Sequence, residues 1–372
     1  MRLLFRKKTA QGGHAVRHSP QRVSGCKCRL GVRILAVFAL AVLTLSLVPL
    51  TAAAANKPLE IYFVDVEGGQ STLFVTPAGQ SLLIDTGWNY NAYRDAIRIT
   101  KAAKLAGIKK IDYVLITHYH QDHVGGVPQL IAKFPVGTFI DHGPNREETA
   151  AMNHQYEEYQ KAIAGKNHIV VKPGDQLPIK GMDAVVVSAD GNIIEQPLPG
   201  AGQQNANCEG VTEKASDASE NARSVGTVIT FGNLRIVDLG DLTWNKELQL
   251  MCPVNKVGHA DLLVVSHHGL DQSNSPALVH ALQPRVAIFD NGAKKGASPS
   301  AWDIVKSSPG LQDIWQLHFA DAGGSEHNAQ DPFIANINEA DTGYYLKVTA
   351  REDGSFDVFN PRNKFSKEYP AK

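Results

Sequence analysis

Residues 117–126 read Thr-His-Tyr-His-Gln-Asp-His-Val-Gly-Gly, so His118, His120, Asp122 and His123 place four metal-capable side chains within six residues. Neutral imidazole and carboxylate are ligands for zinc and similar divalent ions. On extended backbone, side chains two residues apart leave on the same side. His118 and His120 can therefore serve one metal, while Asp122 and His123 turn away to reach a second. Water held by such a pair would lose a proton near neutral pH and attack an electrophilic carbonyl or phosphorus. The plain alternative is a solvated polar loop. The apolar run just before the cluster and the Gly-Gly just after it speak against that alternative.

A loop of this kind works only if a rigid frame holds it. Residues 111–117 have the pattern of a buried strand that would anchor it. Upstream, 60–66, 71–76 and 81–85 read as strands separated by glycine turns, and 92–105 has apolar residues at helical spacing. Downstream, helices are expected at 127–134 and 147–164, with strands at 137–140, 169–171, 184–188, 225–231 and 234–239. A strand at 261–266, a helix at 276–282, a strand at 285–290 and a closing hairpin, 344–350 with 355–360, complete the pattern. Residues 191–221, rich in Gly, Pro, Asn, Ala and Glu, read as a long surface loop and a possible lid. Strand blocks with interspersed helices suit a layered α/β domain.

His118-Tyr119-His120-Gln121-Asp122-His123 resembles the H-x-H-x-D-H signature of the metallo-β-lactamase superfamily, and further motifs follow in the expected order. Leu82-Leu83-Ile84-Asp85-Thr86-Gly87 resembles the early strand whose aspartate braces the metal loop. Leu239-Gly240-Asp241-Leu242 resembles the motif whose carboxylate bridges both metals, and Ser266-His267-His268-Gly269 the final histidine motif. The resemblance implies a four-layer αββα sandwich over residues 56–372, with two divalent ions, zinc by expectation and manganese or iron admissible. It gives Asp85 an orienting role in catalysis. His118 and His120 would hold one metal, and Asp122, His123 and one of His267 or His268 the other, with Asp241 between them. His267 is preferred because it directly ends the strand. Phe63-Val64-Asp65-Val66-Glu67-Gly68-Gly69-Gln70 and His267-His268-Gly269 are most similar to the competence-type subgroup, which includes nuclease-like domains of DNA-uptake channels.

Two departures stand out. Gly296-Ala297-Ser298-Pro299 replaces the subgroup's Gly-His-Pro, and no histidine occurs near 187–190, where many relatives supply a third ligand to the first metal. His142 ends a strand and either substitutes or lies on the surface. His154, His168, His259 and His280 have the contexts of surface residues. His318 and His327 flank Ala322-Gly323-Gly324, a loop able to fold over the site. Trp244, Trp302 and Trp315 read as packing residues.

Nine basic residues and no acidic one precede residue 56, and an apolar run over 34–50 ends in Thr51-Ala52-Ala53-Ala54-Ala55. That order is the pattern of a secretory signal. Cleavage near Ala55, export to the periplasm or medium and no permanent membrane anchor are expected. Residues 56–372 then carry 28 basic and 37 acidic residues, a formal charge of −9, with no basic stripe. Strong nucleic-acid binding is therefore not expected; a small-molecule or cell-envelope substrate is. Cys208 and Cys252 remain as an even pair for an oxidising compartment, and a disulfide between them is expected over two free thiols. The favoured activity is hydrolysis of a small or cell-envelope phosphodiester, with lactone or β-lactam opening as the alternative. A non-catalytic binding protein on the same fold is the rival of another class. Clustered carboxylates that repel one another without a cation oppose it.

Overall fold

The computed structural model describes residues 57–338 and 342–372. The expected signal segment, with Cys26 and Cys28, lies outside the described residues. The chain begins as an antiparallel meander, β1 (Leu59–Phe63), β2 (Thr72–Val75) and β3 (Ser81–Ile84). Helix α1 (Arg94–Leu105) crosses to β4 (Ile111–Leu115). The four-residue α2 (Gln121–Val124) and α3 (Val127–Lys133) lead to β5 (Val136–Asp141), and α4 (Ala150–Ile163) to β6 (Asn167–Val170). A second series starts with β7 (Asp183–Ala189), β8 (Asn192–Ile193) and β9 (Gln203–Gln204). It continues through β10 (Gly226–Phe231), β11 (Leu234–Asp238), α5 (Trp244–Met251), β12 (Val254–Asn255) and β13 (Leu262–Val264). Then come α6 (Pro276–Leu282), β14 (Val286–Phe289), α7 (Pro299–Lys306), β15 (Asp313–His318) and β16 (Ile334–Asn336). The last three strands are β17 (Leu346–Ala350), β18 (Phe356–Asn360) and β19 (Phe365–Tyr369).

One sheet runs β19-β18-β17-β1-β2-β3-β4-β5-β6 and the other β16-β15-β14-β13-β11-β10-β7-β8. Alternation along the strands explains why they stack. In β1, Ile61 and Phe63 join Phe74, Leu82 and Ile84 in a core shared with Val186, Ile229, Ile236, Val264 and Ile288 of the second sheet. Their neighbours Tyr62, Leu73 and Leu83 face the other way, onto Ile99 of α1, Leu130 of α3 and Tyr159 of α4. The outer face of the second sheet, with Val228, Val237, Leu263 and Ala287, packs on Leu250 of α5, Leu278 of α6 and Trp302 of α7. Three apolar layers between four structural layers make the αββα sandwich. Each fully buried Leu, Ile or Phe in them contributes about 1.5–3 kcal/mol.

The structure corrects several expectations. The chain does not close on a hairpin, because β19 pairs with β18 beyond it, Phe356 opposite Tyr369. Helices α5 and α7 and strands β15 and β16 were not anticipated. In α5 a fully buried Glu247 interrupts the apolar face. In α7 the signal was readable, since Ser298 at the N-cap and Pro299 at the first helical position mark a helix start. Residues 191–221 form a mostly exposed segment with little regular structure, tied down at three points. Strand β9 pairs with β12, Cys208 is bonded to Cys252, and Glu220 at the far end is fully buried. Among the described residues no helix is long and apolar enough to cross a membrane.

Candidate metal centre

The centre lies beyond the ends of β4, β11, β13 and β14, where the two sheets meet. After β4 the backbone of Thr117 donates to Asp85 Oδ1 (2.8 Å), and its hydroxyl donates to Oδ2 (2.6 Å). Asp85 directly follows β3, buried and in left-handed backbone at φ 60°. Such a conformation is costly for a residue with a Cβ and persists only where its surroundings impose it. Glycine is required where the loops touch. A Cβ on Gly69 would stand 2.4 Å from the Asp122 carbonyl oxygen, and one on Gly126 2.1 Å from that of Thr86.

Four side chains, Asp122, His123, Asp241 and His268, each turn a ligand atom into a space where these atoms lie within 4.8 Å of one another. His123 Nε2 is 3.2 Å from both Asp122 Oδ2 and Asp241 Oδ2. His268 Nε2 is 3.1 Å from Asp122 Oδ2 and 3.5 Å from Asp241 Oδ1, so Asp241 presents one oxygen to each histidine. Beside them His118 Nε2 lies 3.1 Å from His120 Nδ1 and 3.8 Å from Asp241 Oδ2. The expected residues thus gather in one place, from both sheets.

His267 and His268 adopt successive left-handed conformations, φ 55° and 54°. Strand alternation therefore has no bearing on which of them points inward. The sequence preference was for His267, whereas His268 supplies the atom in the four-residue set. His267 keeps its Nε2 3.4 Å from Asp241 Oδ2, with Nδ1 near Ser273 Oγ at 3.4 Å. His142 does not reach the first position; its Nε2 sits 2.9 Å from Glu220 Oε2 in a buried pair. His318 pairs with Asp65 at 2.7 Å, and His327 with Asp303 at 3.5 Å.

Several partners escaped sequence reasoning. Glu147 Oε2 is 3.2 Å from His120 Nε2, which leaves Nδ1 as the ligand atom. Asp290 Oδ1 is 3.3 Å from His268 Nδ1. Asp290 directly follows β14 as Asp85 follows β3, so a strand-ending carboxylate was the signal available. Glu147, in a polar stretch, carried none. Lys295 ion-pairs with Asp122 Oδ2 and was visible only as half of a lysine pair.

The donor set fits a divalent cation. Asp85 Oδ2 is 2.7 Å from His123 Nδ1, which fixes the tautomer and turns the bare Nε2 inward. His123 Nε2 and Asp241 Oδ1 are both buried without a hydrogen-bond partner. Such orphaned groups are costly unless something binds them. Burial would lower the His123 pKa, yet Asp241, Asp122 and Asp85 outweigh it and hold it well above the ordinary imidazole range. Burial likewise opposes ionisation of Asp122 and Asp241, but His123 and the other neighbouring cations keep both carboxyls well below theirs. His118 is pushed down by burial and by His123, leaving it neutral as a ligand must be.

Residues 65–203 match the family model described as the Metallo-beta-lactamase superfamily. ComE operon protein 3 of Bacillus subtilis (strain 168) is 25% identical over 246 residues, 63% of this chain and 28% of that protein. Hydroxyacylglutathione hydrolase of Klebsiella pneumoniae subsp. pneumoniae is 35% identical over 81 residues, 22% of this chain and 26% of that enzyme. The matches thus span about a quarter of these relatives' length. Among solved structures, CmlA, a diiron β-hydroxylase from Streptomyces venezuelae, is 14% identical with a TM-score of 0.44, covering 71% of this chain and 53% of that one.

Proposed function

Because this chain carries a metallo-β-lactamase superfamily domain, a fold of metal-dependent hydrolases, we propose that it is an exported hydrolase of a small or cell-envelope phosphodiester. The observation that carries the reading is Asp241, whose Oδ2 lies between His118 at 3.8 Å and His123 at 3.2 Å, while its orphaned Oδ1 faces His268 at 3.5 Å. One carboxylate so placed can serve two cations at once. His118, His120 and Asp241 would hold one, and Asp122, His123, His268 and Asp241 the other. When bound, the pair supplies cationic charge to the attacking and leaving oxygens and acidifies water between them. The chain's own residues do the positioning. Asp85 orients His123, Glu147 orients His120 and Asp290 lies against His268. The buried walls keep the centre's dielectric low, which strengthens each electrostatic contact.

Zinc, manganese and iron all accept this mixed nitrogen and oxygen set. The formal charge of −9 over residues 56–372 favours a small substrate over a long nucleic acid. A carboxylic ester or thioester is the second reading, favoured by the local similarity to hydroxyacylglutathione hydrolase. Purified protein loaded with Zn²⁺ or Mn²⁺ should hydrolyse bis(4-nitrophenyl) phosphate and leave duplex DNA largely intact at moderate salt. Turnover of thioesters or lactones with none of the diester would reverse the order of the two readings.

A further inference from the structure

Next to the centre opens a cavity of about 530 Å³, lined by Glu67, Trp88, Tyr90, Lys294, Lys295 and His318 among others. Its two kinds of wall are unlike. On one side Trp88 and Tyr90 stand with ring centroids 5.0 Å apart. On the other the Lys295 ammonium touches Asp122 Oδ2 and lies 5.0 Å from the Trp88 ring centre. The backbone pins both walls. The Trp88 amide donates to the buried Asp95 Oδ2 at 2.8 Å. The loop carrying Lys295 is packed against the turn after β1, where a Cβ on Gly292 would stand 2.7 Å from the Glu67 carbonyl carbon. The indole Nε1 of Trp88 is buried without a partner.

We propose that Lys295 and Trp88 form a substrate subsite at the mouth of the centre, taking a phosphoryl group that bears a planar ring. The inference rests on the phosphodiester reading above. Lys295 meets an anionic oxygen of the group under attack, since an ammonium is a point donor suited to phosphoryl oxygen. Trp88 meets the ring, because offset aromatic faces attract beyond simple burial. Two acids, Glu67 and Asp321, share the lining with Lys294 and Lys295, and Glu67 has His318 at 3.7 Å, so the positive charge that meets an anion is local to the lysine side of the cavity. Because Lys295 contacts Asp122, one of the residues that would hold the cations, an anion it meets would be presented beside the ligands of the centre.

The test is calorimetric titration of metal-saturated protein with inorganic phosphate and with phenyl phosphate, metal content being measured on each sample. Wild type should bind phenyl phosphate about tenfold more tightly than phosphate. Lys295→Ala should weaken both by about tenfold at unchanged metal content, and Lys295→Arg should restore much of the loss. Trp88→Ala should abolish the preference and leave phosphate affinity as it was, while Trp88→Phe keeps part of the preference. Unchanged affinities in Lys295→Ala, or an effect on metal content alone, would overturn the subsite and leave the lysine a counter-ion. Equal weakening of both ligands by Trp88→Ala would overturn the ring contact. If the binding pattern holds but no diester is turned over, the subsite stands and the diester reading falls.

Discussion

Among the described residues two clusters bring three or more histidine and carboxylate ligand atoms together, and they differ in what is left unsatisfied. Asp65, Glu67 and His318 bring ligand atoms as close together as do Asp122, His123, Asp241 and His268. In the first cluster every oxygen of Asp65 has a protein partner. Oδ1 accepts from the Glu67 amide at 3.0 Å and lies 2.7 Å from His318 Nε2, and Oδ2 accepts from Arg98 at 2.8 Å. In the second, His123 Nε2 and Asp241 Oδ1 have none. Residue type and proximity are alike; orphaned valence separates a latch from a site. The Asp65 cluster is balanced by Arg98, a residue that is no metal ligand, whereas the carboxylates of the other are balanced chiefly by His123, itself one of the ligand set.

This contrast can be broken by substitution. Asp241→Ala removes the carboxylate that faces both histidine groups. It should strip bound metal and lower hydrolysis by about a thousandfold or more, the several kcal/mol attributed to metal assistance. Wild-type metal content by elemental analysis would mean the site is misplaced. His318→Gln should do the reverse. It breaks a buried pair and should cost about 3–5 kcal/mol in urea denaturation, with metal content unchanged. Loss of metal in this variant would erase the distinction between the clusters. Asp85→Asn acts on the ligand through His123 and should weaken metal affinity by about 10–100-fold without unfolding the domain, measured by chelator competition.

The smallest effect concerns another buried carboxylate, Glu247, for which burial dominates and the one cation that acts on it, Lys214, is the weakest influence. Glu247 accepts from the Asn274 and Ser275 amides at 2.7 and 2.6 Å, yet burial outweighs these bonds and its pKa is pushed up to about 7. The folded state therefore holds a proton that the unfolded chain, near the ordinary glutamate value of 4.5, gives up. The associated stability is complete below that value and is lost as pH rises through about 7. Glu247→Gln keeps the neutral form at every pH. In metal-free protein its stability relative to wild type should improve between about pH 5 and about pH 8. A constant difference would show Glu247 ionised throughout, like the cation-paired carboxylates of the centre.

The ligand loop was legible because its chemistry is local. His118, His120, Asp122 and His123 sit in one short segment after a strand whose apolar run cannot be mistaken. Asp85, Asp241 and the His267-His268 pair were legible only as motifs in order, since nothing in their own surroundings marks a ligand. The choice between the two histidines turned on backbone in the left-handed region, which side-chain alternation does not describe. Glu147, Asp290 and Lys295 act across about 20 to 170 residues of sequence, and single-sequence patterns hold no record of such partners. The fold showed the same division. Strands that are short apolar runs, such as β1 and β3, stood out, while α5 was hidden by its buried glutamate and β19 by its polar, alternately exposed positions at the sheet's edge.

The position of β17 has a consequence for the order of events during synthesis. It lies between β1 and β18, with Leu59 opposite Ala350. The earliest of the described strands thus receives its second neighbour from one of the latest. Until then one edge of β1 is open, and the inner faces of Ile61 and Phe63 lack part of their cover, which Val348 and Val358 supply. Closing so long a span is slow, because loop entropy is lost before the pairing returns any stability. The first sheet is therefore complete only once β17 is available to pair with β1.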